Sequence, residues 1–246
     1  MLLRNVTLWD GCGSDYSSDF DAVRILPDGT LQCTTSDDRI NDEPSKDLAG
    51  TYVIPGLIDA HGHLLGLGAN LLEVDLRTSE SASDAAKTVA EYAFANNNQP
   101  WIMGRGWNQE LWSDRAFPSA ADLDNVVADR PVFLTRVDGH AAWVNTKAME
   151  LAGITKDTPS PVGGEIIKDA AGNPTGVFID NASLLIESHL PKASNAVFEQ
   201  QLNAAGKHLL SNGITSMHDA GVGRDVYDFY LKEAVEDDLP VRIYAM

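Results

Sequence analysis

Two histidines one residue apart, His61 and His63, close an apolar run that reads Val53-Ile54-Pro55-Gly56-Leu57-Ile58-Asp59-Ala60-His61-Gly62-His63-Leu64. In an extended strand, residues two apart point the same way, about 7 Å apart along the chain. Both imidazoles can therefore aim at one ion, and Gly62 leaves the backbone room to bend. A bare His-x-His is a weak signal. Set at the C-terminal end of a buried strand, after a Pro-Gly corner and an aspartate, it points strongly to a metal site. The competing reading is a pair of hydrogen-bonded core histidines. Catalytic zinc keeps one position open for water, lowers the pKa of that water and polarises a carbonyl. Asp59, two residues earlier, either orients a ligand from behind or is a structural carboxylate, and we favour the orienting role.

Other candidates stand at the ends of further apolar runs. His140 is expected on the same catalytic rim, binding substrate or stabilising a transition state, with a structural hydrogen bond as the alternative. Trp143 and Asn145 follow it and are candidates for shaping the pocket, although Trp143 is equally suited to the core. Arg105 and Trp107 are candidates for lining the cavity, with packing favoured for Trp107. His218 and Asp219 are expected to support the site from behind or to be structural. His189 and His208 fall on or near helical patterns and are expected to be solvated or packed.

Strands and helices must position these groups. Nearly continuous apolar runs at residues 53–58, 101–103, 131–137, 213–217 and 240–244 predict parallel strands buried on both faces. Helical spacing links Ala86, Val89, Ala90, Ala93 and Phe94, with Ser83-Asp84 as the start and Asn98-Gln99-Pro100 as the stop. A second stripe joins Phe198, Leu202, Ala205 and Leu209, opened by Asn195 and closed by Gly213; a third helix is expected over 225–236. Residues 163–180 predict a hairpin, either a lid or pocket wall over the site or an edge decoration. Alternating strand and helix gives an α/β protein, a partial (β/α)8 barrel with about five of its eight strands in residues 53–246. Residues 1–52 read as short strands and turns, with a hairpin around Pro27-Asp28-Gly29, and are expected to form the first part of a small β-sandwich.

Composition narrows the function. The 246 residues are 43% hydrophobic and 22% charged, enough for a real core and too apolar for a disordered chain. The net charge of −18, from 36 acidic and 18 basic residues, would repel a phosphate backbone and argues against nucleic acid. No run approaches the roughly 18 apolar residues of a membrane span, and the N-terminus lacks a signal-peptide core, so a cytoplasmic location is expected. Cys12 and Cys33 are expected to be reduced structural thiols, and the Asn5-Val6-Thr7 and Asn181-Ala182-Ser183 sequons unused.

In order along the chain, VIPGLIDAHGH, Gly104-Arg105-Gly106-Trp107-Asn108-Gln109, Asp124 through Pro131-Val132, Asp138-Gly139-His140-Ala141-Ala142-Trp143-Val144-Asn145 with Lys147-Ala148, the 163–180 hairpin and Gly213-Ile214-Thr215-Ser216-Met217-His218-Asp219-Ala220-Gly221 resemble the amidohydrolase superfamily. The match is to its family-3 branch, which includes N-substituted formamide deformylase-like proteins. Asn108 departs from the pattern, since relatives more often carry aspartate there. The resemblance implies a metal-dependent hydrolase of non-peptide carbon–nitrogen bonds, with a barrel and a small β-sandwich. It implies that His61 and His63 bind a divalent metal, most often zinc. A carboxylated lysine, two later histidines and a proton-handling aspartate would lie on strands beyond Met246, so the chain is expected to be an N-terminal half. The implied partners are a small-molecule amide and a complementary C-terminal half or a second copy. Two other readings stay open: a non-catalytic fragment or binding module, and a hydrolase of lactones or phosphoesters on the same scaffold.

Overall fold

The computed structural model describes residues 1–9, 19–40 and 42–246. Cys12 and most of the polar stretch after Trp9 lie outside them; Cys33 is exposed. In chain order, β1 (Leu2–Leu8), β2 (Ala22–Ile25), β3 (Leu31–Thr34) and β4 (Ser45–Val53) form one four-stranded sheet in the order β3-β2-β1-β4. The hairpin of β2 and β3 is the expected one, and β4 runs parallel to β1. Val6, Leu8 and Val23 bury one face.

The apolar run at 53–58 is not one strand. Ile54-Pro55-Gly56 separates β4 from β5 (Leu57–Gly62), which joins a different sheet. Proline has no N–H to give a ladder, so the chain turns a corner there. After β5 come α1 (Leu64–Leu72), β6 (Val74–Asp75), α2 (Ala82–Ala95), β7 (Ile102–Trp107), α3 (Ala120–Asp124), β8 (Val132–Arg136), β9 (Ala141–Val144) and α4 (Thr146–Leu151). Then follow β10 (Gly164–Lys168), β11 (Pro174–Asp180), α5 (Leu184–Glu187), α6 (Asn195–Ser211), β12 (Ile214–Asp219), α7 (Arg224–Glu236) and β13 (Arg242–Ala245).

The mixed α/β architecture is the expected one, but the five runs predicted as staves of one sheet are divided between two. Strands β5, β12 and β13 make a parallel three-stranded sheet with β12 in the middle. Strands β6 to β11 make a six-stranded sheet, ordered β10-β11-β9-β8-β7-β6, from the chain between Gly62 and Ile214. A doubly covered strand looks alike in either sheet, so periodicity could not assign the partner. Alternation sorts the six-stranded sheet cleanly. Val132, Leu134, Ala141, Trp143 and Val177 face α2 and α3; Phe133, Ala142, Val144 and Phe178 face α4 and α5.

The 163–180 hairpin forms as expected, but β11 also pairs with β9, so β10 is the sheet's edge rather than a lid. The cap of helix α2 lies two residues before the expected one, with the Ser81 hydroxyl accepting the Asp84 N–H at 3.0 Å. Phe94, counted in its apolar stripe, is 89% exposed; Ala85, Ala86, Val89 and Ala93 face the core. Helices α1, α6 and α7 cover the three-stranded sheet through Leu64, Leu202, Ala205, Leu209, Met217 and Phe229.

Candidate metal centre

His61 is the penultimate residue of β5, and His63 stands just past the strand's end at the N-cap position of α1. Their ring centroids lie 5.9 Å apart with planes at 78°, an edge-on pair on the exposed side of the strand end. A Cβ at Gly62 would meet the terminal methyl of Met217 on the neighbouring strand, which would have to move aside. The sequence therefore brings both candidate ligands together, and the neighbouring strand fixes how.

Carboxylates hold the backbone at His61 and just after His63. Asp59 Oδ1 accepts the His61 N–H at 3.1 Å. Asp219, buried at the end of β12, accepts the Leu64 N–H at 3.0 Å on one oxygen and the Tyr230 hydroxyl at 2.7 Å on the other. Leu64 opens α1, so its N–H has no partner within the helix and Asp219 supplies one. Burial, then the hydrogen bond to Asp219 and its charge, push the Tyr230 phenol far above its usual pKa, so the hydroxyl stays a donor.

The ring of His63 is fixed as well. Its Nδ1 lies 3.0 Å from the Ala220 carbonyl oxygen. A carbonyl only accepts, so Nδ1 carries a hydrogen, and in the neutral ring Nε2 keeps its lone pair. Metal-binding histidines have this arrangement, with one nitrogen tied to a backbone carbonyl and the other free for the ion. The donor set thus fits a divalent metal. Among the described residues no group of three or more His, Cys, Asp and Glu side chains converges on one point, so the pair is a partial ligand set. A small cavity of about 150 Å³ lies beside His63, lined by Asp219, Ala220 and Val226 among others.

A larger cavity of about 490 Å³ lies between α1 and the C-terminal ends of β6 and β7. Arg105 lines it, donating to the Val137 carbonyl at 3.2 Å. His208, expected to be solvated or packed, lines it too. So do Asp75 and Arg77, joined by bonds of 2.9 and 2.6 Å that hold the Asp75 carboxyl below the usual range. His140 stands in the turn between β8 and β9, with its ring on Asp180. His218, half-buried on β12, rests its ring against Tyr244 at 5.2 Å.

Three candidates for substrate contact are structural instead. Trp107 and Trp143 are fully buried and pack with Trp112 at centroid distances of 6.2 to 6.5 Å. Their indole N–H groups donate to the Leu134 and Ser119 carbonyls, which is how a buried tryptophan satisfies its polar edge. Asn145 is buried at the far end of β9, where it accepts from Val132 and Ala148 and donates to Val127 and Arg130. Asn108 accepts from the Glu110 N–H and caps a short turn, a task that needs no acid. Sequence reasoning missed Tyr230 and Asp180. Nothing in the α7 apolar stripe signals that one of its aromatics carries a used hydroxyl.

The model of the amidohydrolase family, family 3, matches residues 46–245. This chain belongs to that family. It is 35% identical over 199 residues to the putative amidohydrolase YtcJ of Bacillus subtilis (strain 168), covering 78% of this chain and 38% of that protein. It is 31% identical over 204 residues to the N-substituted formamide deformylase of Arthrobacter pascens, covering 79% of this chain and 37% of the relative. A metal-dependent hydrolase from Pyrococcus horikoshii OT3 superimposes with a TM-score of 0.75 at 23% identity, over 99% of this chain and 47% of that one. The chain thus spans well under half the length of the curated relatives it matches.

Proposed function

We propose that the chain carries the first two metal ligands, His61 and His63, of a zinc-dependent hydrolase that cleaves non-peptide carbon–nitrogen bonds. A divalent cation bound there would supply a water of lowered pKa and a Lewis acid for the carbonyl. The residues of this chain do the positioning. Asp59 and Asp219 fix the backbone on either side of Gly62, and the Ala220 carbonyl sets the His63 tautomer. Arg105, at the ends of β6 and β7, lines a cavity large enough for a small amide. The observation that carries this reading is the pair of adjoining imidazoles, one with its Nδ1 already engaged.

Family membership and the relative named as a formamide deformylase support carbon–nitrogen chemistry over lactone or phosphoester hydrolysis. No helix of the described residues is long and apolar enough to cross a membrane, and the net charge of −18 disfavours nucleic acid, so we propose a small-molecule substrate. The test is metal content and amide turnover in the full-length gene product, beside His61→Ala and His63→Ala. Each variant should lose bound zinc and at least about a thousandfold in rate, as expected when the activated nucleophile is lost. Unchanged zinc and turnover in both variants would refute the assignment.

A further inference from the structure

A histidine–aspartate pair outside the metal centre is built with unusual care. His140 Nδ1 lies 2.8 Å from Asp180 Oδ1. The two residues are also joined through the backbone, the Asp180 N–H donating to the His140 carbonyl at 2.9 Å. Asp138 Oδ1 accepts the His140 N–H at 2.9 Å. Asp138 is itself gripped by Arg136 through bonds of 3.0 and 2.9 Å, and the Arg136 guanidinium lies over the buried Trp107 ring at 5.9 Å. The backbone of His140 is therefore linked to the buried Trp107 through Asp138 and Arg136.

The backbone bends to make the pair. Asp180 sits at φ +47°, a left-handed conformation that costs a side-chain-bearing residue of order 1 kcal/mol or more. Gly139, beside His140, adopts φ +79°, which glycine tolerates. Strain of this kind persists where surrounding structure enforces it, and it gathers at ligand sites. A loose surface ion pair needs none of it.

A carboxylate that accepts from the ring places a hydrogen on Nδ1 of His140, and in the neutral imidazole Nε2 then presents a lone pair. The His140 side chain is 70% exposed, so that lone pair faces outward. Val137, three residues earlier in the same turn, lines the charged cavity and accepts from Arg105.

We propose that this dyad reads the substrate, with Asp180 as a positioning residue and the Nε2 of His140 accepting a hydrogen bond from a substrate N–H. The preferred substrates are then amides that keep an N–H, and N,N-disubstituted amides are discriminated against. The word substrate here rests on the hydrolase reading, but the recognition can be tested without turnover.

Ring-nitrogen resonances of His140 would be followed by NMR in the full-length protein during titration with N-butylacetamide and with N-butyl-N-methylacetamide. The free protein should show the Nδ1–H tautomer. Only the N–H amide should shift Nε2, and Asp180→Asn should abolish both the fixed tautomer and the selectivity. In turnover assays the wild type should prefer the N–H amide by about tenfold, the size of one hydrogen bond, and His140→Ala should erase the preference while leaving bound zinc unchanged. An Nε2–H tautomer, equal shifts with both amides or no shift with either would overturn the proposal. Selective binding without any hydrolysis would instead overturn the hydrolase reading and leave the dyad standing.

Discussion

The two main sheets are built from similar apolar strands and end in opposite conditions. The six-stranded sheet is covered on both faces, and its interior holds the three-tryptophan cluster and Phe178. The three-stranded sheet has helices on one side, while Leu57, Ile58 and Tyr244 on its strands stay more than half exposed. Neither β5 nor β13 has a second strand neighbour among the described residues. The candidate ligands stand on the open sheet, and the closed one supplies a rigid flank with His140 and Arg105 on its rim.

Core truncation should separate the sheets most sharply. Trp143→Ala removes a fully buried indole and its bond to the Ser119 carbonyl, and should cost about 3–5 kcal/mol in denaturant unfolding. Ile58→Ser on the open sheet should change the stability of the 246-residue chain by no more than about 0.5 kcal/mol. Equal costs at the two sites would erase the contrast. Asn145→Ala comes next, at about 2–4 kcal/mol, because it leaves buried backbone groups of β8 and α4 without partners.

At the metal centre the expected effect is on binding rather than folding. Tyr230→Phe frees one oxygen of Asp219, and Asp219→Asn weakens the anchor at Leu64. Each should reduce zinc affinity of the full-length protein by roughly 10- to 100-fold, read by chelator competition. Trp143→Ala, measured under conditions where it stays folded, should leave that affinity alone. A zinc affinity that follows global stability across all three variants would show that the sheets are not separable.

Much of this division was legible in residue types, and the illegible part has a physical cause. His61-Gly62-His63 announced itself because strand alternation and glycine act within three residues. The α6 stripe and the β10–β11 hairpin were likewise readable from local spacing. Which sheet a strand joins depends on partners far away in sequence, so β5 pairing with β12 across the six-stranded sheet left no local trace. Packing was the favoured reading of Trp107, but Trp143 was left open and Asn145 misplaced for a related reason. Amphipathic side chains suit a pocket or a satisfied core equally, and only the Leu134, Ser119 and Val127 carbonyls decide between them. Asp180 was invisible because its partner is 40 residues away.

The smallest predicted effect probes the seam between the two regions. Glu73 follows α1, which covers the open sheet, and precedes β6, the outer strand of the closed one. It lines a cavity of about 330 Å³ together with Tyr92, Trp101, Met103 and Lys192. Burial raises its carboxyl above the usual value, with the Arg105 charge opposing in part. A raised carboxyl binds its proton more tightly in the folded state than in the unfolded one. Stability should therefore be greatest below the unfolded value and fall as pH rises from there through the raised folded value. Glu73→Gln removes that titration, so its stability relative to wild type should rise across this window and level off above it. The gain should also be larger when Arg105 is replaced by Gln, since the opposing charge is then gone. A flat difference between wild type and Glu73→Gln across the window would mean that the seam is wetter than the packing of α1 against β6 and α2 implies.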